Sequence, residues 1–160
     1  MEVIREMRPG EEKAVCQLVR QVFNEFVAPQ YSIEGTREFL RYAQPQRMAK
    51  RTRSGHQVLV AEATGDLVGM IEMRNSSHIS LLFVAGDCQR RGVARRLFIA
   101  ALRAAQLVDP DLSGVTVRSS PNAAKAYEAL GFRAEGPERE EHGIRYIPMK
   151  RTLRADRVGR

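Results

Sequence analysis

The chain is poor in the residues that mark several large protein classes. It has no tryptophan and only 6% aromatic residues, and no segment carries an aromatic RNA-binding signature. Its two cysteines, Cys16 and Cys88, share no CxxC or Cys/His spacing, so neither a zinc site nor a secreted disulfide framework can be read from them. A chain without metal, in a reducing cytoplasm, is the expectation. No apolar run approaches the roughly 20 residues that span a bilayer. The opening segment MEVIREMRPGEE is too charged for a signal peptide. Disulfide or metal staples are not needed either, since 160 residues with 43% hydrophobic content can bury a sizeable core.

Positive charge is plentiful: 26 Lys and Arg stand against 19 Asp and Glu, a net +7. Such a balance suits a polyanionic partner. The charge is scattered, however, over RMAKRTR (Arg47 to Arg53), QRRGVARR (Gln89 to Arg96) and RTLRADRVGR (Arg151 to Arg160), with acidic segments between them. No helix-turn-helix or zinc finger stands out, so neither a specific nucleic acid nor a membrane is expected as partner.

Periodicity orders the elements. Glu2 to Met7 alternates as a strand, and Pro9 with Gly10 breaks it. From Glu11, the apolar positions Val15, Leu18, Val19, Val22, Phe23 and Phe26 predict one face of a helix. Ser32 is a suitable N-cap for a second helix over Ile33 to about Tyr42, and Gln44 to Gly55 reads as a basic loop. Gln57 to Ala63, Leu67 to Arg74 and His78 to Val84 form an antiparallel meander whose third strand, apolar on both faces over Leu81 to Val84, belongs mid-sheet. A helix runs from the QRRGVARR stretch to about Val108. GVTVRSS is a strand, and Pro121 with Asn122 begins a short helix that Gly131 closes as a C-cap. FRAEGPE and IRYIPMKRTL pair as a final hairpin. The expected architecture is a mixed, mostly antiparallel α/β sheet of six to seven strands flanked by about four helices. Residues 1–153 form one domain, and 154–160 a basic tail.

Two segments carry chemistry. Gln89 to Ala94 joins a central strand to a helix, where the first backbone N–H groups lack partners and the helix dipole is positive, so anions are attracted. Gly92 has no Cβ to keep a phosphate from the amides of Val93 and Ala94. Arg90, Arg91, Arg95 and Arg96 raise the local potential. Read alone, the loop is either a seat for phosphates or a solvated basic turn. The second segment, PNAAKAYEALGF (Pro121 to Phe132), sets Asn122 at a helix start and Tyr127 five residues on.

Together the strand LLFV, the loop QRRGVA and the distal NAAKAYEALGF resemble, in order and spacing, the GNAT superfamily of N-acetyltransferases. The likeness extends from Glu2 to about Leu153, by element order more than by residues in the first third. It implies the GNAT fold and acetyl-coenzyme A as cosubstrate, with the pyrophosphate on Gln89 to Ala94 and the pantetheine arm beside Leu82, Phe83 and Val84. A bulge or splay would free an N–H there, that of Val84 above all, to stabilise the thioester oxyanion. Asn122 would bond to the arm, or serve as an ordinary N-cap. Tyr127 matches the general acid that protonates the departing thiolate. His78 occupies the place of the family's glutamate base, with Glu72 on the neighbouring strand as rival and direct loss of the proton to solvent as the third route.

The resemblance thus implies acetyl transfer to a primary amine by direct attack in a ternary complex. The acceptor, a small molecule or a peptide, enters between the two N-terminal helices, the 44–55 loop and the final hairpin, where Glu138, Glu140 and Glu141 could draw a cation. A non-catalytic acyl-coenzyme A sensor is the alternative. The last strand, as an edge strand, could pair between subunits in a homodimer. Two departures stand: AGDC (Ala85 to Cys88) replaces the proline-containing turn of many relatives, and Ala94 replaces the loop's last glycine.

Overall fold

The computed structural model describes residues 1–153; the basic tail over 154–160 lies outside them. β1 (Val3–Glu6) leads into α1 (Glu12–Phe26), α2 (Ile33–Tyr42) and α3 (Pro45–Thr52). The meander β2 (His56–Ala63), β3 (Asp66–Arg74) and β4 (His78–Val84) follows, then α4 (Val93–Val108), β5 (Gly114–Ser119) and α5 (Ala124–Ala129). β6 (Arg133–Ala134), β7 (Arg139–Glu141) and β8 (Ile144–Thr152) complete the described chain.

The sheet order is β1-β2-β3-β4-β5-β8-β6, with β7 paired to β8. All pairs are antiparallel except β4 with β5, so the mixed, mostly antiparallel expectation holds. The count is eight strands and five α-helices, slightly above the expected numbers. One extra helix is α3, which replaces the expected basic loop over Gln44 to Gly55. Pro45 opens it at the first turn, where its missing N–H costs nothing. Met48 anchors it fully buried, while the basic side chains that suggested a loop lie mostly on its outer face. The other surplus comes from the final hairpin. Two short strands, β6 and β7, both pair with β8, and β8 inserts between β5 and β6. The last strand is therefore interior, which removes the edge offered for pairing between subunits.

Helices cover both faces. On one, α4 buries Val93, Leu97, Phe98 and Ala101 against Ile71, Ile79 and Val117. On the other, α1 and α3 bury Val15, Val19 and Met48 against Val60, Met70 and Leu81. β3 alternates accordingly: Gly69, Ile71 and Met73 face α4, whereas Met70, Glu72 and Arg74 face α1–α3. No helix of the described residues is long and apolar enough to cross a membrane.

Candidate active site

β4 and β5 are paired only at His78↔Thr116 and Ile79↔Val117. Beyond that point they part, and a cleft of about 870 Å³ opens between them. The register shows what the parting leaves exposed. Val84 lies opposite Gly69, and the Ala85 N–H donates to the Val68 carbonyl at 2.8 Å. Val84 is thus at a non-hydrogen-bonded position of the β3–β4 ladder, and so is Leu82 opposite Ile71. The N–H groups of both point away from β3, into the gap. A bulge at Ser80, between the pairs Glu72↔Leu81 and Met73↔Ile79, precedes them.

The cleft continues to the loop before α4. Gly92 is its N-cap with φ +81°, a left-handed conformation that disfavours a Cβ, and no heavy atom stands within 4 Å of where that Cβ would be. The backbone therefore needs glycine here, and the space above it is open. The four arginines divide. Arg90 and Arg95 line the cleft, while Arg96 pairs with Glu2 at 2.5 Å and Arg91 at 3.5 Å. The Arg91 side chain is turned to Glu2 and does not line the cleft. The Gln89 amide donates to the Val84 carbonyl at 3.0 Å, tying the loop back to β4.

Tyr127 forms the opposite wall. It projects from α5, a helix closed by Gly131 at φ +93° and by the Phe132 N–H donating to the Tyr127 carbonyl at 3.0 Å. Its ring meets Phe132 edge-on at 5.5 Å. Burial holds its phenol protonated, far above the ordinary value near 10. Asn122 is not an N-cap, since it sits inside a single 3-10 turn, Pro121–Ala123, capped by Ser120. Its amide donates to the Phe26 carbonyl at 2.8 Å, and its oxygen accepts from the Ser120 hydroxyl at 2.8 Å. It joins the end of α1 to the turn at the rim of the cleft.

At the other end of the cleft, α2 and the β7–β8 hairpin face each other. His142 and Gly143 make the hairpin turn with φ +54° and +81°. Gly143 packs directly on Gly35 of α2, where a Cβ on either residue would strike the other's backbone, and Ser32 Oγ both caps α2 and donates to the Gly143 carbonyl at 3.2 Å. The walls so held together carry Tyr31, Phe39 and Tyr42 on one side and Glu141, Ile144 and Tyr146 on the other. Among the expected acidic residues, Glu138 pairs with Arg145 at 2.6 Å and Glu140 does not line the cleft. Glu141 accepts from the Tyr146 hydroxyl at 3.0 Å and pairs with Arg118 at 3.1 Å, contacts that hold its carboxyl below the usual range.

His78 lines the cleft where β4 and β5 still pair. Its Nδ1 stands 2.7 Å from Thr116 Oγ1, whose hydroxyl points to the Ser77 carbonyl at 3.5 Å. With the Thr116 hydroxyl donating to Ser77, the matching tautomer carries its proton on Nδ1 and has Nε2 as acceptor. Burial, with Arg74, Arg118 and His56 nearby, lowers its pKa to about 4. Glu72 is placed otherwise than expected. It is fully buried, clamped by Arg51 at 2.6 and 3.1 Å and by the His56 Nδ1–H at 2.6 Å. It does not reach the cleft rim; its carboxylate neutralises Arg51, whose guanidinium also lies 3.7 Å over the Tyr42 ring. Removing one partner of such a buried pair costs about 3–5 kcal/mol.

A family model, the Acetyltransferase (GNAT) domain, matches residues 27–153, most of the chain. The protein belongs to the GNAT acetyltransferase family. Solved structures agree on the fold. A GCN5-related N-acetyltransferase from Rhodopseudomonas palustris superposes with TM-score 0.82 at 22% identity, over 96% of each chain. The PaiA N-acetyltransferase of Thermoplasma acidophilum, solved with coenzyme A, gives 0.80 at 15% identity, covering 96% of this chain and 99% of its own. An aminoglycoside 6'-N-acetyltransferase complexed with coenzyme A gives 0.67 at 13%, covering 94% and 96%. No curated protein matches at the level of sequence.

Of the residues named from sequence in this GNAT chain, the structure gathers Leu82, Phe83, Val84, Gln89, Arg90, Gly92, Val93, Ala94, Arg95, Asn122, Tyr127 and His78 along one cleft. It leaves out Glu72 and the Arg91 side chain. Sequence reading missed Arg74, Arg118 and Tyr146. The alternation in GVTVRSS could have shown Thr116 and Arg118 on the face opposite Val115 and Val117. Among the described residues, no three His, Cys, Asp or Glu side chains form a group that could hold a metal.

Proposed function

We propose that the chain transfers an acetyl group from acetyl-coenzyme A to a primary amine, by direct attack within a ternary complex. The observation that carries this reading is the parted β4–β5 pair, with the Leu82 and Val84 N–H groups directed into the gap. An added extended arm can pair with them as a strand would. Bound there, acetyl-coenzyme A supplies an activated acyl thioester. Gly92, Val93 and Ala94 offer the pyrophosphate open backbone at the start of a 16-residue helix, Arg90 and Arg95 add charge, and Asn122 lies at the rim beside the arm. The coenzyme A complexes of the two relatives above favour a coenzyme A-based cosubstrate.

Each residue then has a task. The Val84 N–H steadies the charge developing on the thioester oxygen. As the amine nitrogen bonds to the acetyl carbon and the carbon–sulfur bond breaks, Tyr127 gives its hydroxyl proton to the departing sulfur; its burial keeps the phenol protonated at neutral pH. The proton the amine sheds leaves through water at the cleft mouth, because burial and the neighbouring cations make His78, first expected as the base, a weak acceptor. Two free, buried cysteines suit a reducing cytoplasm.

The test is a screen of amines by thiol release, with mass detection of the product. Tyr127→Phe should lower kcat about 100-fold while acetyl-coenzyme A binding is kept. Wild-type turnover by this variant, under conditions where chemistry limits the rate, would remove Tyr127 from the acid's role.

A further inference from the structure

The acceptor end of the cleft has a charge pattern that the acetyl-transfer reading leaves unused. Arg74 and His78 lie directly opposite each other across β3 and β4, His78 and Thr116 across β4 and β5, and Arg118 is two residues along β5 from Thr116. Opposite residues share a face, as do residues two apart in a strand, so Arg74, His78 and Arg118 crowd one side of the sheet. All three line the cleft. Their closeness shows in His78, whose protonation is disfavoured first by burial and then by both guanidiniums.

The carboxylates at this end are already engaged. Glu38 pairs with Arg41 at 3.0 Å, and Glu141 with Arg118 and the Tyr146 hydroxyl. Arg74 is exposed and has no ion-pair partner among the described residues. The surplus charge at the mouth is therefore positive, although Glu138, Glu140 and Glu141 suggested the opposite. Between this mouth and the Leu82 N–H lie four residue steps of β4, on the order of 13 Å less what the bulge takes up. The flanking walls are apolar and aromatic: Phe39, Tyr42, Ile144 and Tyr146.

We infer that the acceptor is an elongated amine with an apolar body and an anionic group, of the carboxylate class, at the end remote from the reacting nitrogen, seated by Arg74 with Arg118 beside it. Guanidinium groups match a carboxylate with paired N–H donors. A polycationic amine would meet an unneutralised guanidinium instead, a repulsion that selects against it. This rests on the acetyltransferase reading, and it specifies which amines that activity takes.

Three amines with one body and one reacting nitrogen form the test: 6-aminohexanoate, hexylamine and 1,6-diaminohexane. Wild-type kcat/KM should fall in that order, with at least a 10-fold advantage for the carboxylate. Arg74→Gln should raise KM for 6-aminohexanoate about 10-fold and abolish its advantage over hexylamine, with acetyl-coenzyme A binding kept. A preference for the diamine, or an undiminished carboxylate advantage in the variant, would overturn the inference. If acetyl-coenzyme A binds but none of the three releases thiol, the seat is read by NMR of the His78 ring during titration with 6-acetamidohexanoate, the acetylated form. A ring shift in wild type that Arg74→Gln abolishes supports the seat even though the catalytic reading fails; no shift in wild type overturns it.

Discussion

The two ends of the cleft are built from different parts of the chain. The end proposed for the coenzyme is backbone: N–H groups of Leu82 and Val84 facing a gap, an αL glycine at position 92, and the first turn of α4, nearly all within one continuous segment. The acceptor end is side chain. Tyr42, Arg74, Arg118 and Tyr146 come from four separate elements and meet only because β3, β4, β5 and β8 align them. In the proposed reading, one end takes a constant ligand and needs little beyond small residues and free amides, and the other supplies selectivity.

That division can be broken at its two glycine positions. The larger effect belongs to Gly92→Ala. A left-handed conformation costs a residue with a Cβ roughly 1–2 kcal/mol, so the loop must shift and move its amides. The expected outcome is about a 10-fold weaker Kd for acetyl-coenzyme A by calorimetry, with the acceptor KM at saturating coenzyme unchanged. Gly143→Ala attacks the other end. Its Cβ would strike Ser32 Oγ and come within 2.6 Å of the Gly35 nitrogen, and overpacking of this kind costs about 1–3 kcal/mol. A several-fold rise in acceptor KM and a lower Tm should follow, with coenzyme Kd held within twofold. If either variant disturbs both ends alike, the two are one coupled unit.

The same division explains what could be read in the sequence. QRRGVA and PNAAKAYEALGF are local patterns, and the apolar stretch LLFV marks a central strand, so the elements that line the end proposed for the coenzyme were legible from neighbouring residues. The meander and α4 were legible for the same reason. Arg74 and Arg118 were not. Each is an ordinary charged residue at a strand end until the register His78↔Thr116 brings them to one imidazole. Glu72 misled for a related reason, because a carboxylate on a strand says nothing of the Arg51 that will bury it. α3 was hidden by a single apolar anchor, Met48, among basic neighbours. The insertion of β8 between β5 and β6 is a long-range pairing with no local signal.

The central claim is that free backbone N–H groups of β4 and the α4 entry hold acetyl-coenzyme A while the acceptor walls stand apart. Titrating acetyl-coenzyme A into ¹⁵N-labelled protein tests it most directly. The account predicts large amide shifts at Leu82, Val84, Gly92, Val93 and Ala94, and small ones at Gly35, Arg74 and Gly143. Shifts centred on α2 and the β7–β8 hairpin, with Leu82 and Val84 unmoved, would contradict it.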